Sequence, residues 1–109
     1  MSGSGGGGYG GGFATDEVVC DRLTFDTQLS SPKAVVIAQI NVGEVLSVAL
    51  DQQGAAQVVV IKRGNDIAGG ITSPKMVRLL ECIRQGTRYQ ATVTAKSDGQ
   101  MSVRISPLR

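Results

Sequence analysis

The sequence predicts a mainly β fold with two short helices, its six strands rolled into a small β-barrel. Three observations predict it. Apolar residues alternate with polar ones in short runs, Gly- and Asp-containing turns separate those runs, and Val, Ile and Leu dominate an apolar content of 41%. Six strands within about ninety residues, joined mostly by tight turns, favour closure, because a closed sheet leaves no Val/Ile-rich edge unpaired.

The chain has 109 residues, and eight of its 15 glycines fall within residues 3–12, GSGGGGYGGG. Such a run has little side-chain surface to bury and loses much backbone entropy on ordering. Residues 1–14 are therefore expected to form a disordered Gly-rich tail that serves as a linker. Tyr9 within it is a weak candidate for nucleic-acid contact, because no arginine accompanies it. Residues 15–109 are expected to form a single domain.

The elements follow in order. Residues 18–28 alternate in part, with Leu23 and Phe25 on one face, and read as a strand. Ser31-Pro32-Lys33 then opens an apolar run, Ala34 to Ile40. Its β-branched residues suit a strand, but capping by Ser30 or Ser31 with Pro32 at the first helical position favours a short helix ending before Gly43. Val45 to Leu50 alternates with Leu46, Val48 and Leu50 as one set. After the turn at residues 51–54, Gln57 to Lys62 carries a Val-Val-Val-Ile run. Residues 66–72 form a short strand containing Gly69-Gly70.

A second Ser-Pro-Lys, at Ser73-Pro74-Lys75, opens a helix over residues 74–85. Met76, Leu79, Leu80 and Ile83 recur at helical spacing, and Gly86 is a good stop. Tyr89 to Lys96 alternates, Asp98-Gly99 marks a hairpin, and Met101 to Ile105 alternates again. The order is thus β-α-β-β repeated twice, each copy carrying Ser-Pro-Lys and then a glycine, Gly43 or Gly86.

From Leu46 to Ile105 this layout resembles a HIRAN-type domain, a modified OB-like barrel with flanking helices. The shared pattern runs through the strand Leu46-Ser47-Val48-Ala49-Leu50, a polar turn, a strand from Gln57 to Ile61 and a short strand Ile67-Ala68-Gly69-Gly70. A helix with Val77, Leu80 and Ile83 apolar, and the strand Tyr89-Gln90-Ala91-Thr92-Val93, complete it. The family's Asn-x-x-Asp-type turn is replaced here by residues 51–56. The resemblance implies a grip on single-stranded DNA ends by aromatic and basic side chains.

Much chemistry is excluded by composition. The chain holds no histidine, which removes Ser–His and Cys–His nucleophile pairs and His-containing metal sites. Two cysteines are too few for structural zinc, and no P-loop occurs. No cofactor and no enzymatic activity are expected. Cys20 and Cys82 are expected to be reduced, buried side chains in a cytoplasmic protein, given the absence of a secretory leader and of any run near the roughly 20 apolar residues a membrane span needs.

The expectation is a non-enzymatic binding module. Residues 1–54 hold two basic and six acidic groups, net −4, while residues 55–109 hold nine basic and three acidic, net +6. That imbalance suggests an anionic partner unless the halves interleave in space. For single-stranded nucleic acid, the contacts would be Lys62, Arg63, Lys75, Arg78, Arg88, Lys96 and Arg104 along the phosphates, with Tyr89 stacking on a base; the alternative for Tyr89 is a place in the barrel wall. The two Ser-Pro-Lys starts suit either simple capping or an anion. The alternative function is a protein–protein interaction module, an accessory or inhibitor subunit working through a strand edge or an apolar patch. Self-association is compatible with both.

Overall fold

The computed structural model describes residues 19–108. The tail expected over residues 1–14 lies outside the described residues, as do residues 15–18. The described elements are β1 (Phe25–Gln28), α1 (Ala34–Ile37), β2 (Val45–Gln53), β3 (Ala56–Arg63), β4 (Asp66–Gly70), α2 (Met76–Arg84), β5 (Tyr89–Ser97) and β6 (Gln100–Pro107), with a short 3-10 turn at Cys20–Arg22 ahead of β1. This is the element order expected. The strands form one six-stranded sheet in the order β1-β6-β5-β2-β3-β4, with every neighbouring pair antiparallel.

The expected barrel is not closed by strand pairing. β1 and β4 are the two ends of the sheet, and a single bridge, Ser30 to Gly70, joins them. The chain crosses from one end to the other over a few residues. The Leu29 N–H still donates to the Met101 carbonyl of β6 at 3.0 Å. The Ser30 and Gly70 N–H groups then donate to each other's carbonyls at 2.8 Å, and the Lys33 N–H donates to Ala68 at 2.8 Å. β1 is too short to pair along β4 as well, because the chain turns into α1 directly after this crossing.

Gly69 permits the crossing. A Cβ there would sit 3.0 Å from the Leu29 side chain and 3.1 Å from the Ser30 carbonyl, whereas one at Gly70 would meet nothing nearer than 3.6 Å. Gly69→Ala is therefore expected to destabilise by about 1–3 kcal/mol through overpacking, and Gly70→Ala by distinctly less. Urea unfolding of the two variants checks the contrast.

The halves of the chain repeat in the sheet as they do in the sequence. Exchanging β1 with β4, β2 with β5 and β3 with β6 turns the strand order into its own reverse, as a two-fold axis between β2 and β5 would. β2 and β5 each have 9 residues, and β3 and β6 each have 8. Gly43 and Gly86 hold similar left-handed conformations, φ 97° and 103°. The helices differ: α1 is one turn of 4 residues and α2 has 9.

One core serves both halves. Leu46, Val59 and Ile61 face Ala91, Val93, Met101, Val103 and Ile105 within it, with Leu79 of α2 and Ile37 and Ile40 around α1 completing it. Val77, placed among the apolar helix positions, points outward and is exposed.

Two expectations about the helix starts are corrected. Pro32 and Pro74 do not occupy the first helical position. Lys33 and Lys75 stand at the cap positions, and neither helix has a side-chain cap bond. At α2 the Ser-Pro-Lys segment is a turn of its own. The Met76 N–H donates to the Ser73 carbonyl at 2.8 Å, and the Lys75 N–H donates to the Ser73 hydroxyl at 3.2 Å.

The expected reduced cysteines are corrected too, since Cys20 and Cys82 form a disulfide with their Cα atoms 5.5 Å apart. Residues 20–22 form the 3-10 turn, and of the strand expected over residues 18–28 the described residues show Phe25–Gln28. No helix among the described residues is long and apolar enough to cross a membrane.

Candidate binding site

Most of the basic groups expected to contact an anion are engaged within the fold. Arg63 pairs with Glu44 at 3.4 Å, Arg78 with Glu81 at 3.4 Å, and Arg104 with Asp26 at 2.8 Å. The Lys96 ammonium donates to the Ile40 carbonyl, and Lys75 lies 5.9 Å over the Phe25 ring. Lys62 and Arg88 make no ion pair with a described residue. The charge imbalance between the halves is spread by the strand order. β2, from the acidic half, lies between β5 and β3 from the basic half, and the Arg63–Glu44 and Arg104–Asp26 pairs join the halves.

Tyr89 is a correction. It is 3% exposed, in the core, and its hydroxyl donates to the Cys20 carbonyl, so its ring has no free face for a base. Burial pushes its phenol above the usual range. Phe25 is buried as well, which leaves no exposed aromatic ring among the described residues.

The exposed Arg104–Asp26 pair spans β6 and β1. The Arg104 guanidinium, bonded to both carboxylate oxygens, holds the Asp26 carboxyl below its ordinary value. A lowered carboxyl pKa favours the folded state above the unfolded pKa, and that contribution fades as pH falls through the folded value. For so exposed a pair the effect is small. Arg104→Ala is expected to move the Asp26 titration upward toward the ordinary value, read by carboxyl carbon NMR, with little change in stability at neutral pH. Glu44 is lowered chiefly by the Asn41 N–H, which donates to it at 2.8 Å, with Arg63 adding to the effect.

A cleft of about 430 Å³ lies beside β2, lined by Val45, Ser47, Val48, Ile83, Arg88 and Leu108 among others. It exists because β2 and β5 part. Their ladder holds only Val45–Thr92, Leu46–Ala91 and Ser47–Gln90, while β2 continues to Gln53 paired with β3 alone. Backbone groups alternate sides along an antiparallel strand, so the N–H and C=O of Leu50 point away from β3, toward the side where β5 has left.

The walls combine exposed apolar side chains with polar ones and one cation. Val45 is 57% and Leu108 49% exposed. Arg88 lines the cleft, Lys62 sits directly opposite Ser47 on the adjacent strand, and no carboxylate lines the cleft among the described residues. Of the predicted site residues, the cleft thus gathers Arg88 at its rim, Lys62 beside it and Tyr89 as a buried wall.

Val45, Ser47, Ile83 and Leu108 were missed by the sequence reading. The available signal was Val45, an apolar residue on the outward phase of a strand whose inward set is Leu46, Val48 and Leu50. A second groove, of about 360 Å³, has Ser31, Lys33, Thr72 and Met76 around Val58 and Ile67.

No family model, curated protein or solved structure matches this chain.

Proposed function

We propose that this protein is a non-enzymatic binding module that engages a protein partner through the cleft beside β2. The observation that carries this reading is the stretch of β2 beyond Ser47, which has no partner on the β5 side and lies next to a cleft with exposed Val45 and Leu108 in its walls. A bare strand edge next to apolar side chains suits addition of a partner segment, with main-chain bonds giving affinity and the apolar walls specificity. The single-stranded nucleic-acid reading loses support. Its stacking residue is buried, and five of its seven basic groups already have partners. The likeness of residues 46–105 to HIRAN-type, OB-like barrels remains a proposal about the fold. The disulfide supports an oxidising compartment over the cytoplasm.

The test is affinity capture from a native extract with the full chain and its Val45→Glu and Arg88→Glu variants. Alongside it, anisotropy titrations use labelled single-stranded DNA, duplex DNA and RNA at low and physiological salt. A partner captured by the parent chain and lost in both variants, with flat oligonucleotide titrations, is expected. Salt-sensitive oligonucleotide binding that disappears in Lys62→Glu and Arg88→Glu would restore the nucleic-acid reading instead.

A further inference from the structure

Resting on that reading of the cleft, we infer that its occupant is an acidic segment in extended conformation that joins the sheet at Leu50, antiparallel to β2. The internal repeat shows the equivalent position already filled. In the first half, the Gly43 N–H donates to the Val93 carbonyl at 2.8 Å, and the Val93 N–H donates to the Glu44 carbonyl at 2.9 Å. The turn after α1 thereby extends the β2–β5 pairing along the β5 edge.

Leu50 stands as far beyond Gly43 as Val93 stands beyond Gly86, so Leu50 is the counterpart of Val93, and Gly86-Thr87 the counterpart of Gly43-Glu44. In the second half this pairing is missing. The Gly86 N–H donates to Ile83 and the Thr87 N–H to Cys82, each at 3.0 Å, closing the last turn of α2. The longer helix uses the groups that its counterpart offers to the sheet. Among the described residues, no backbone bond joins Leu50 to the Gly86–Thr87 turn. One donor and one acceptor at Leu50 stand where a strand backbone stands in the other half.

The charge of the occupant follows from the rim. Arg88 and Lys62 are the two predicted contact cations whose side chains have no ion pair, hydrogen bond or ring contact with a described residue; Arg88 lines the cleft and Lys62 stands opposite its Ser47 wall. Alternate side chains of an added strand point to opposite faces, so acidic residues would share the outward face with Arg88 and Lys62 while apolar ones turn to the inward face beside Val48 and Ile83. A nucleic-acid strand also carries negative charge, but its backbone has no N–H and C=O pair to complete the β2 edge.

Three labelled peptides test this with the full-length, oxidised protein: a short alternating Glu–Val peptide, its Lys–Val counterpart, and the Glu–Val peptide N-methylated at alternate residues. Anisotropy is expected to show binding of the first and at least about tenfold weaker binding of the other two, the scale of one lost charge-assisted or main-chain bond. Arg88→Glu should weaken the Glu–Val peptide and favour the Lys–Val one. Amide exchange gives a second readout. In the free protein the Leu50 N–H should exchange faster than the Val93 N–H, and the Glu–Val peptide should slow Leu50 alone.

Equal binding of both charged peptides, undiminished binding of the N-methylated one, no binding of the Glu–Val peptide, or an unaltered Leu50 amide would each overturn the assignment. Capture that depends on Val45 and Arg88 would still stand in those cases, because it tests the cleft and not its occupant. Capture insensitive to both residues would remove the cleft reading itself.

Discussion

Breaking the Cys20–Cys82 link is expected to lower stability by roughly 4 kcal/mol, by the chain-entropy relation for cysteines 62 residues apart. The link joins the start of the described chain to the buried side of α2, where Cys82 is 0% exposed. The bond from the Tyr89 hydroxyl to the Cys20 carbonyl also ties the 3-10 turn to the sheet. Urea unfolding of the parent chain with and without a dithiol reductant reads the effect directly. The Cys20→Ala/Cys82→Ala double variant should match the reduced parent and ignore the reductant. An unchanged midpoint on reduction would show that the unfolded chain gains no freedom from the cut. A change in slope rather than midpoint would place the effect in the compactness of the unfolded state.

That bond marks where sequence reasoning runs out. Two cysteines far apart in the chain show nothing of their distance in space, and their pairing depends on where the 3-10 turn meets α2. Local patterning carried further. The six strands and their order were legible because period-two alternation and short turns are properties of neighbouring residues, as at Leu46, Val48 and Leu50, or at Asp98-Gly99. Tyr89 was legible in the same way, since it shares its phase with Ala91 and Val93, both of which face the core. The basic residues were not, because an ion pair such as Arg104–Asp26 joins strands from opposite ends of the chain. Closure was not legible either. It depends on whether the short β1 can pair along β4 after leaving β6, and the turn into α1 ends that pairing at Ser30. The cleft needed both halves at once: its cause is a helix longer than its repeat counterpart, which withdraws Gly86 and Thr87 from β2.

The repeat makes a quantitative prediction about the core. Ile61 of β3 and Ile105 of β6 hold equivalent positions in the two halves, and both are 0% exposed. Ile61 lies beside Val48 and Gly69, and Ile105 beside Ala91 and Phe25. Neither site can collapse easily around a lost side chain, because each is hemmed by strands on both sides. Ile61→Ala and Ile105→Ala should therefore each destabilise by about 3 kcal/mol, within the usual range for buried Ile to Ala. A domain of this size has roughly 5–15 kcal/mol in total, so the double variant, losing about 6 kcal/mol, should give up a large part of its stability. Each single variant should still unfold in one transition by circular dichroism. The halves interleave, with β2 against β5 at the centre of the sheet, and neither retains a complete core without the other. Two resolved transitions in Ile61→Ala would mean that β5 and β6 hold together after β3 is lost, which would make the repeat two folding units rather than one.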